Sequence, residues 1–441
     1  MKKIVIVLFL ALTSNFALCQ LNLLKKEVTY PGGAGGNTHY KKVIRLSDGN
    51  YLFSGESPIG VVSHDDQDGD NVFDGYDLDG VMMKANDSLN PVWNVTNGTF
   101  TGGPDPCCNG LFKTDSVVGL TQNNAGDAVM VLWSPELAFA YVFASYNLVT
   151  GSMNYFQATQ TPAAVSGIVR DTTLDAIIMY GGNILWKVDM FPSFAIPDWT
   201  STSSAGTFTT GITVAANSYL FGGNNGSNSF IMMANSSGNT VWTKEYQSSN
   251  AITINALYPV SGGYLITGTY NQDIYLQKVD LNGNTVFSNT YALAGSEVPS
   301  AITIKGGQTF ISGNSGADAL LYILDINGTL LSAKKYSNLH LYDICQNDGS
   351  ANTLTFAGDK AGAALMMRSD LSGNAAGCFE TGISPLAASL VVSDNSPTYT
   401  LSPFQDFQGG YSNDPIPNPS VNVITDCIQP NCSSPVASIT A

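Results

Sequence analysis

Charged side chains are scarce in this sequence, basic ones scarcer still, and histidine is nearly absent. Only 12% of the 441 residues are Asp, Glu, Lys or Arg, with 18 Lys and Arg against 34 Asp and Glu, and three His. The shortage of Glu, Lys and Arg argues against a helical protein, because those residues dress exposed helix faces. The shortage of basic charge leaves a formal net charge of −16, which argues against nucleic acid and anionic membrane as partners, since both need a positive surface. Divalent cations, neutral glycans and plain solubility remain compatible with it. With only His39, His64 and His340 in the chain, general bases of the usual kind are few, and no Gly-x-Ser-x-Gly nucleophile motif accompanies them.

Long apolar runs are missing too. The chain opens with Lys2 and Lys3, an apolar stretch from Ile4 to Leu12, and a short polar stretch ending in Ala17, Leu18, Cys19 and Gln20. That order is a secretory signal peptide over residues 1–19, with small residues at Ala17 and Cys19 before the cut. A lipoprotein leader with Cys19 acylated is the alternative, although Leu18 stands where that processing wants a small residue. No later segment offers the eighteen or so apolar residues of a membrane helix. A secreted or outer-cell-surface protein is expected. Beyond Cys19 the cysteines are Cys107, Cys108, Cys345, Cys378, Cys427 and Cys432. An even number in an exported chain makes all six disulfide candidates, with connectivity open. Neighbouring Cys107 and Cys108 cannot readily bond each other, and zinc is disfavoured because the Cys-x-x-Cys spacing is absent.

What the sequence has is glycine (44 residues), tyrosine (20) and phenylalanine (20), and the glycines fall in register. Gly223, Gly268, Gly313 and Gly358 are each 45 residues after the last, and Gly238, Gly283, Gly328 and Gly373 form a second ladder with the same period. A unit reads as four short strands: Ala251 to Leu257, Gly263 to Thr269, Asp273 to Asp280 and Thr285 to Tyr291. The last two are joined through Asn282-Gly283, expected to supply the positive φ angles of a tight hairpin turn. Four antiparallel strands every 40 to 50 or so residues give the arithmetic of a β-propeller blade. Earlier, less regular units lie around Ser47 to Gly55 with Gly80 to Ala85 and Val92 to Thr96, around Ala128 to Trp133, and around Ala176 to Asp189. The fold class is therefore all-β, a propeller over residues 20–380 with seven blades and six or eight as alternatives. Leu21 to Tyr30 resembles a fourth strand and is expected to latch onto the last repeat. After residue 380 the period is lost, and a small C-terminal β appendage or linker over residues 381–441 is expected.

The first unit carries one large insertion, Ser63 to Gly80, holding Asp65, Asp66, Asp68, Asp70, Asp74, Asp77 and Asp79. Calcium wants about six to eight oxygen ligands, and carboxylates on alternate residues of a loop can wrap it. Laid on a helix-loop-helix calcium loop, Asp66, Asp68, Asp70, Asp74 and Asp77 take ligand positions. Asn71 stands where the sharp turn uses Gly, and no amphipathic helices flank the loop. A solvated loop of turn-forming Asp and Gly is the other reading. His64 reads as a surface histidine, with metal ligation as the alternative. Acids elsewhere follow the repeat (Asp273, Asp280, Asp318, Asp325 and Asp370), so they are expected to serve the fold. Trp93, Trp242 and Phe287 share a fourth-strand place and are expected to pack between blades.

The unit Gly262-Gly-Tyr-Leu-Ile-Thr-Gly268, followed by Asp273-Ile-Tyr-Leu-Gln-Lys-Val-Asp-Leu-Asn-Gly-Asn-Thr-Val-Phe287, resembles the repeat of large surface and secreted β-propeller proteins of Bacteroidota. Asp68-Gly-Asp70 leading through Gly75 to Asp79-Gly-Val-Met-Met-Lys84 resembles the extended first repeat of the same proteins. The likeness covers roughly residues 21 to 380. It implies export through the type IX secretion route, with that machinery as a partner in transit and usually a C-terminal sorting domain. Pro417-Asn-Pro-Ser420 is similar to the opening of such a domain. The functional expectation is a non-catalytic secreted or surface propeller binding protein or glycan, in adhesion or surface assembly. The alternatives are a glycan-active hydrolase or lyase with carboxylates at the channel, and a structural spacer in a larger surface protein.

Overall fold

The computed structural model describes residues 23–30, 38–57, 79–97, 116–134, 140–160, 164–190, 197–346, 352–375, 380–403, 410–411 and 422–429. These are strand and turn, and no helix among them is long and apolar enough to cross a membrane. Blade 1 is built from His39–Arg45, Tyr51–Ser57, Asp79–Ala85 and Pro91–Asn97. Blade 2 follows with Ser116–Gln122, Ala128–Ser134, Ala140–Tyr146 and Met153–Gln160, and blade 3 with Gly167–Asp171, Ala176–Gly181, Ile184–Asp189 and Pro197–Ser203. Blades 4 and 5 are Thr207–Ala215, Ser218–Asn225, Asn228–Asn235, Thr240–Gln247 and Ile252–Val260, Gly263–Tyr270, Asp273–Asp280, Thr285–Ala292. Blade 6 is Val298–Lys305, Gln308–Ser315, Asp318–Asp325 and Leu330–Tyr336. Blade 7 is composite. His340–Gln346, Thr353–Lys360 and Ala363–Asp370 take Leu23–Thr29 as their fourth strand, with Val28 opposite Ala364. Each first strand touches the first strand of the next blade, round to blade 7 and back to blade 1. The ring is a closed seven-bladed β-propeller with first strands around its axis, latched by the N-terminal strand as the sequence suggested.

The strands differ by layer in the way their residues dictate. Second and third strands such as Tyr51–Ser57 and Asn228–Asn235 are buried along almost their whole length, because both faces pack on neighbouring blades, and so they read as continuous apolar runs. Fourth strands alternate: in Thr285–Ala292, Ser288, Thr290 and Tyr291 are buried while Val286 is exposed.

Both glycine ladders have steric causes. Each first strand except that of blade 3 carries a register shift, for example between Ile254 and Ala256, and this bulge pushes a carbonyl towards the second strand. A Cβ at Gly268 would fall on the carbonyl oxygen of Thr253, and one at Gly358 on that of His340. Gly268→Ala is expected to cost on the order of 2–4 kcal/mol. Thermal unfolding checks this against Gly382→Ala, where a Cβ meets nothing within 4 Å. The second ladder sits in the turn between third and fourth strands. Gly283 has φ +80° and Gly328 φ +80°, while Asn282 is not among the positive-φ residues. The tight two-residue turn expected at Asn282-Gly283 is therefore a wider one. Asp280 Oδ1 accepts from the amides of Asn282 and Asn284, each at 2.8 Å, and the Gly283 amide donates to Asp280 O at 3.0 Å. The side chain thus builds the turn, and Asn235, Asp325 and Asp370 do the same in their blades.

This turn is also where consecutive blades are stapled. Tyr246, Tyr291 and Tyr336 donate to the carbonyls of Gly283, Gly328 and Gly373 in the following blade, at 2.8, 2.5 and 2.7 Å. Trp93 packs on Gly151 and donates to Leu148 O at 2.9 Å, Trp242 packs on Gly283, and Phe287 packs on Gly328. The fourth-strand aromatics are inter-blade packing, as expected.

The segment after residue 380, expected as a small β appendage, makes no separate sheet among the described residues. It runs backwards around the rim as a belt, giving blades an antiparallel fifth strand. Glu380–Ile383 pairs with blade 6, Leu386–Ser389 with blade 5, Ser393–Asn395 with blade 4, Leu401–Pro403 with blade 3 and Gly410–Tyr411 with blade 2. Asn422–Gln429 then pairs with Leu23–Thr29 in blade 7. Side chains pin it: Thr285 donates its amide to Asp394 Oδ2 at 2.6 Å, and the Tyr399 hydroxyl binds Glu245 and, at 3.0 Å, Asn225.

Candidate functional site

The bulge in each first strand leaves one residue out of the ladder: Lys41, Val118, Thr209, Asn255, Ser300 and Tyr342 in blades 1, 2, 4, 5, 6 and 7. The residue after the ladder glycine in the second strand reaches the bulge of the next blade. Asn224 accepts from the Ile254 amide at 3.1 Å and Asn314 from the Leu341 amide at 2.8 Å. In blades 1 and 7 that residue is Glu56 or Asp359 instead of a neutral side chain, and the partner that opens the first strand is His39 or His340. Two histidine–carboxylate pairs thus stand side by side at one end of the channel.

Glu56 is the better enclosed. Its Oε1 accepts from the Val117 amide at 3.0 Å, from Ser116 Oγ at 2.7 Å and from the Lys41 ammonium, and its Oε2 faces His39 Nε2 at 3.1 Å. Burial pushes this carboxyl up, but the hydrogen bond with His39, the charge and bond of Lys41 and the Ser116 hydroxyl outweigh it and hold it at about 2. In blade 7, His340 Nδ1 lies 3.0 Å from Asp359 Oδ1 and its Nε2 lies 3.0 Å from Gly316 O. Tyr342 stands between the pairs, its ring centroid 5.7 Å from that of His39 and 6.2 Å from that of His340. Burial raises its phenol, and the charge and hydrogen bond of Asp359 and the charge of Glu56 raise it further. Deeper in the channel, Asp343 accepts from the amides of Val43 and Ile344, each at 2.9 Å, and burial raises its carboxyl against the pull of Lys42. Towards the far end, Gln346 of blade 7 reaches Tyr258 of blade 5 at 3.4 Å.

The mouth therefore offers an ammonium, two imidazoles and a phenol on an aromatic ring, all partly exposed, beside a carboxylate too acidic and too fully bonded to shuttle protons near neutral pH. An open cavity of about 480 Å³ lies elsewhere, between the blade 4 rim and the belt, lined by Gln247, Ser248, Ser249, Leu390, Val391 and Ser393. None of those side chains carries charge.

Asp66, Asp68, Asp70, Asp74 and Asp77, with His64, lie outside the described residues, as do Cys107, Cys108, Cys378 and Cys432. Cys427 is described only by its backbone, opposite Lys25, and Cys345 is half-buried in the first strand of blade 7. Among the described residues no three His, Cys, Asp or Glu side chains gather as a ready metal site. In sequence His39 and His340 stand out only as two of three histidines, and Lys41, Glu56, Tyr342 and Asp359 do not stand out, although Glu56 and Asp359 each follow a glycine of the bulge-facing kind, Gly55 and Gly358, a signal that the repeat carries.

No family model and no curated protein matches this chain. Among solved structures it is similar to the crystal structure of a protein of unknown function from Bacteroides caccae, at 12% identity and a TM-score of 0.40, over 56% of this chain and 94% of that one.

Proposed function

We propose that the protein is a non-catalytic secreted or cell-surface propeller that binds protein or glycan at the mouth between blades 7 and 1, in adhesion or surface assembly. One observation carries this reading. The place that holds Asn224 and Asn314 as neutral joints in blades 4 and 6 holds a carboxyl side chain paired with a histidine in the two adjacent blades 7 and 1, with a partly exposed Tyr342 between them. Asn224 and Asn314 satisfy the same bulge without charge, so the fold alone does not call for it. A tyrosine ring flanked by adaptable polar donors suits a sugar face or a peptide. Secretion is proposed on the leader pattern of residues 1–19.

The test is titration of a panel of neutral oligosaccharides and of whole-cell surface extract into the mature protein, repeated with Tyr342→Ala. Binding weakened at least about tenfold, roughly 1.4 kcal/mol, supports the mouth as the site. Binding indifferent to Tyr342→Ala removes the mouth from consideration. Consumption of an oligosaccharide that stops in Asp359→Asn replaces this reading with the hydrolase.

A further inference from the structure

The belt changes blades between Ser389, which lies opposite Asn289 of blade 5, and Ser393, which lies opposite Gln247 of blade 4. The rim cavity of about 480 Å³ sits at this crossing, walled by Gln247, Ser248 and Ser249 on the blade side and by Leu390, Val391 and Ser393 on the belt side. That volume falls within the range of about 300 to 1,000 Å³ common to ligand pockets. The repeat shows what makes the room. One period on, the places of Gln247, Ser248, Ser249 and Asn250 are taken by Ala292, Leu293, Ala294 and Gly295, and Leu293 packs on the core between blades 5 and 6. Blade 4 thus sets amides and hydroxyls where blade 5 sets aliphatic carbon and glycine.

The polar groups of the wall are held in a definite sense. Gln247 Nε2 donates to Glu245 Oε1 at 2.8 Å, and because a carboxylate only accepts, this bond fixes which way the amide points. Glu245 itself does not line the cavity, and its oxygens are further bonded by Asn228 Nδ2 at 3.1 Å and by the Tyr399 hydroxyl. Ser248 Oγ donates to Val391 O at 2.9 Å, tying the crossing to the blade. These bonds leave the Gln247 carbonyl oxygen and the Ser248 lone pairs as acceptors. Ser249 Oγ lies 2.7 Å from the Tyr270 hydroxyl, which also accepts from Asn250 Nδ2 at 3.1 Å. Tyr270 ends the second strand of blade 5, at a step where blades 4, 6 and 7 carry Asn225, Ser315 and Lys360. The aromatic ring held by its hydroxyl beside Ser249 has no counterpart at those three steps.

No side chain of the wall is charged, so an ionic ligand finds no partner there, and Leu390 with the exposed Val391 offers aliphatic surface next to the acceptors. Oriented acceptors beside apolar carbon match a neutral molecule that carries many hydroxyl donors and C–H faces. We propose that the rim cavity binds a neutral saccharide, whose hydroxyls donate to Gln247 and Ser248 while a C–H face rests on Val391. The site lies at blades 4 and 5, apart from the mouth at blades 7 and 1, so either proposal can fail alone.

The experiment starts from the Tyr342→Ala protein, in which the mouth has lost its ring, and titrates it by calorimetry with maltose, cellobiose, lactose and N,N′-diacetylchitobiose. Saturable binding of at least one sugar is expected. Adding Ser248→Leu should weaken it at least about tenfold, roughly 1.4 kcal/mol, because the side chain that blade 5 carries at this step fills the cavity. Adding Gln247→Ala instead should weaken it in the same direction by removing an acceptor without filling space. Leu293 is the precedent that Ser248→Leu folds, and a melting temperature within about 3 °C of its parent checks this. Failure of all four sugars to bind overturns the proposal, as does binding that Ser248→Leu leaves unchanged. An uncharged Gly-Ser-Tyr peptide that binds where the sugars do not, and is lost in Ser248→Leu, overturns it in favour of a protein partner.

Discussion

Val28→Asp is expected to lower the stability of the whole ring by about 3–5 kcal/mol. Val28 has no exposed surface and packs in the seam of blades 7 and 1 with Tyr40, Phe53, Val81, Met83, Ala364 and Met366. It lies in the stretch of the latch that is paired on both edges, to Ala364 on one side and Val423 on the other. An aspartate there buries a charge without a partner, and the strand that closes the ring detaches from its core. Denaturant unfolding and limited proteolysis check the prediction, with new cleavage expected in the strands of blade 7. Val149→Asp, in a turn of blade 2 where the side chain is 80% exposed, should stay within about 0.5 kcal/mol of wild type. An unchanged midpoint for Val28→Asp would mean that the N-terminal strand does not complete blade 7.

The second large effect is expected at Glu56. The change to Gln keeps the shape and one carbonyl oxygen for the Val117 amide but removes the charge facing Lys41 and turns an amide group towards donors. The loss at neutral pH should be about 3 kcal/mol. The pH dependence has a definite sign. Folding depresses this carboxyl from an ordinary value near 4.5 to about 2, so its contribution is fully present above the unfolded value and is lost as pH falls from there towards 2. The wild type should therefore shed about 3 kcal/mol across that window, and Glu56→Gln should flatten that limb. A variant whose acid limb runs parallel to the wild type would show that Glu56 is not the group responsible.

The blades were legible because their causes are local and repeated. Gly268 recurs every 45 residues because a carbonyl beside the bulge excludes a side chain, and Gly283 because its φ is positive and a side chain of the preceding blade packs on it, while Trp93 and Trp242 announce the same seam. The turn at Asp280 was only half legible: the glycine marks it, while the carboxylate that shapes it depends on three hydrogen bonds that spacing does not reveal. The belt was hidden for a different reason. Leu386–Ser389 is exposed throughout and Ser393–Asn395 is three residues long, so neither bears the alternation of a half-buried strand. Their register comes from the edge they join. The channel mouth was hidden by distance, since Tyr342 and His39 meet only once the ring is closed.

The backward course of the belt sets an order of events in folding. Ser389 meets Asn289, Asn395 meets Glu245, Leu401 meets Ser203 and Tyr411 meets Ala158, so each successive pairing spans roughly one more blade of chain than the last. None of these edges exists until its blade has formed, and the final strand needs Leu23–Thr29 already seated. Contacts of such long range are closed late and form slowly. The rim is thus the record of a completed ring. A protein caught part-way would expose bare outer edges on blades 2 to 6, the surfaces on which β-sheets join to one another, and the interval between ring closure and belt docking is the time in which aggregation competes with the native fold.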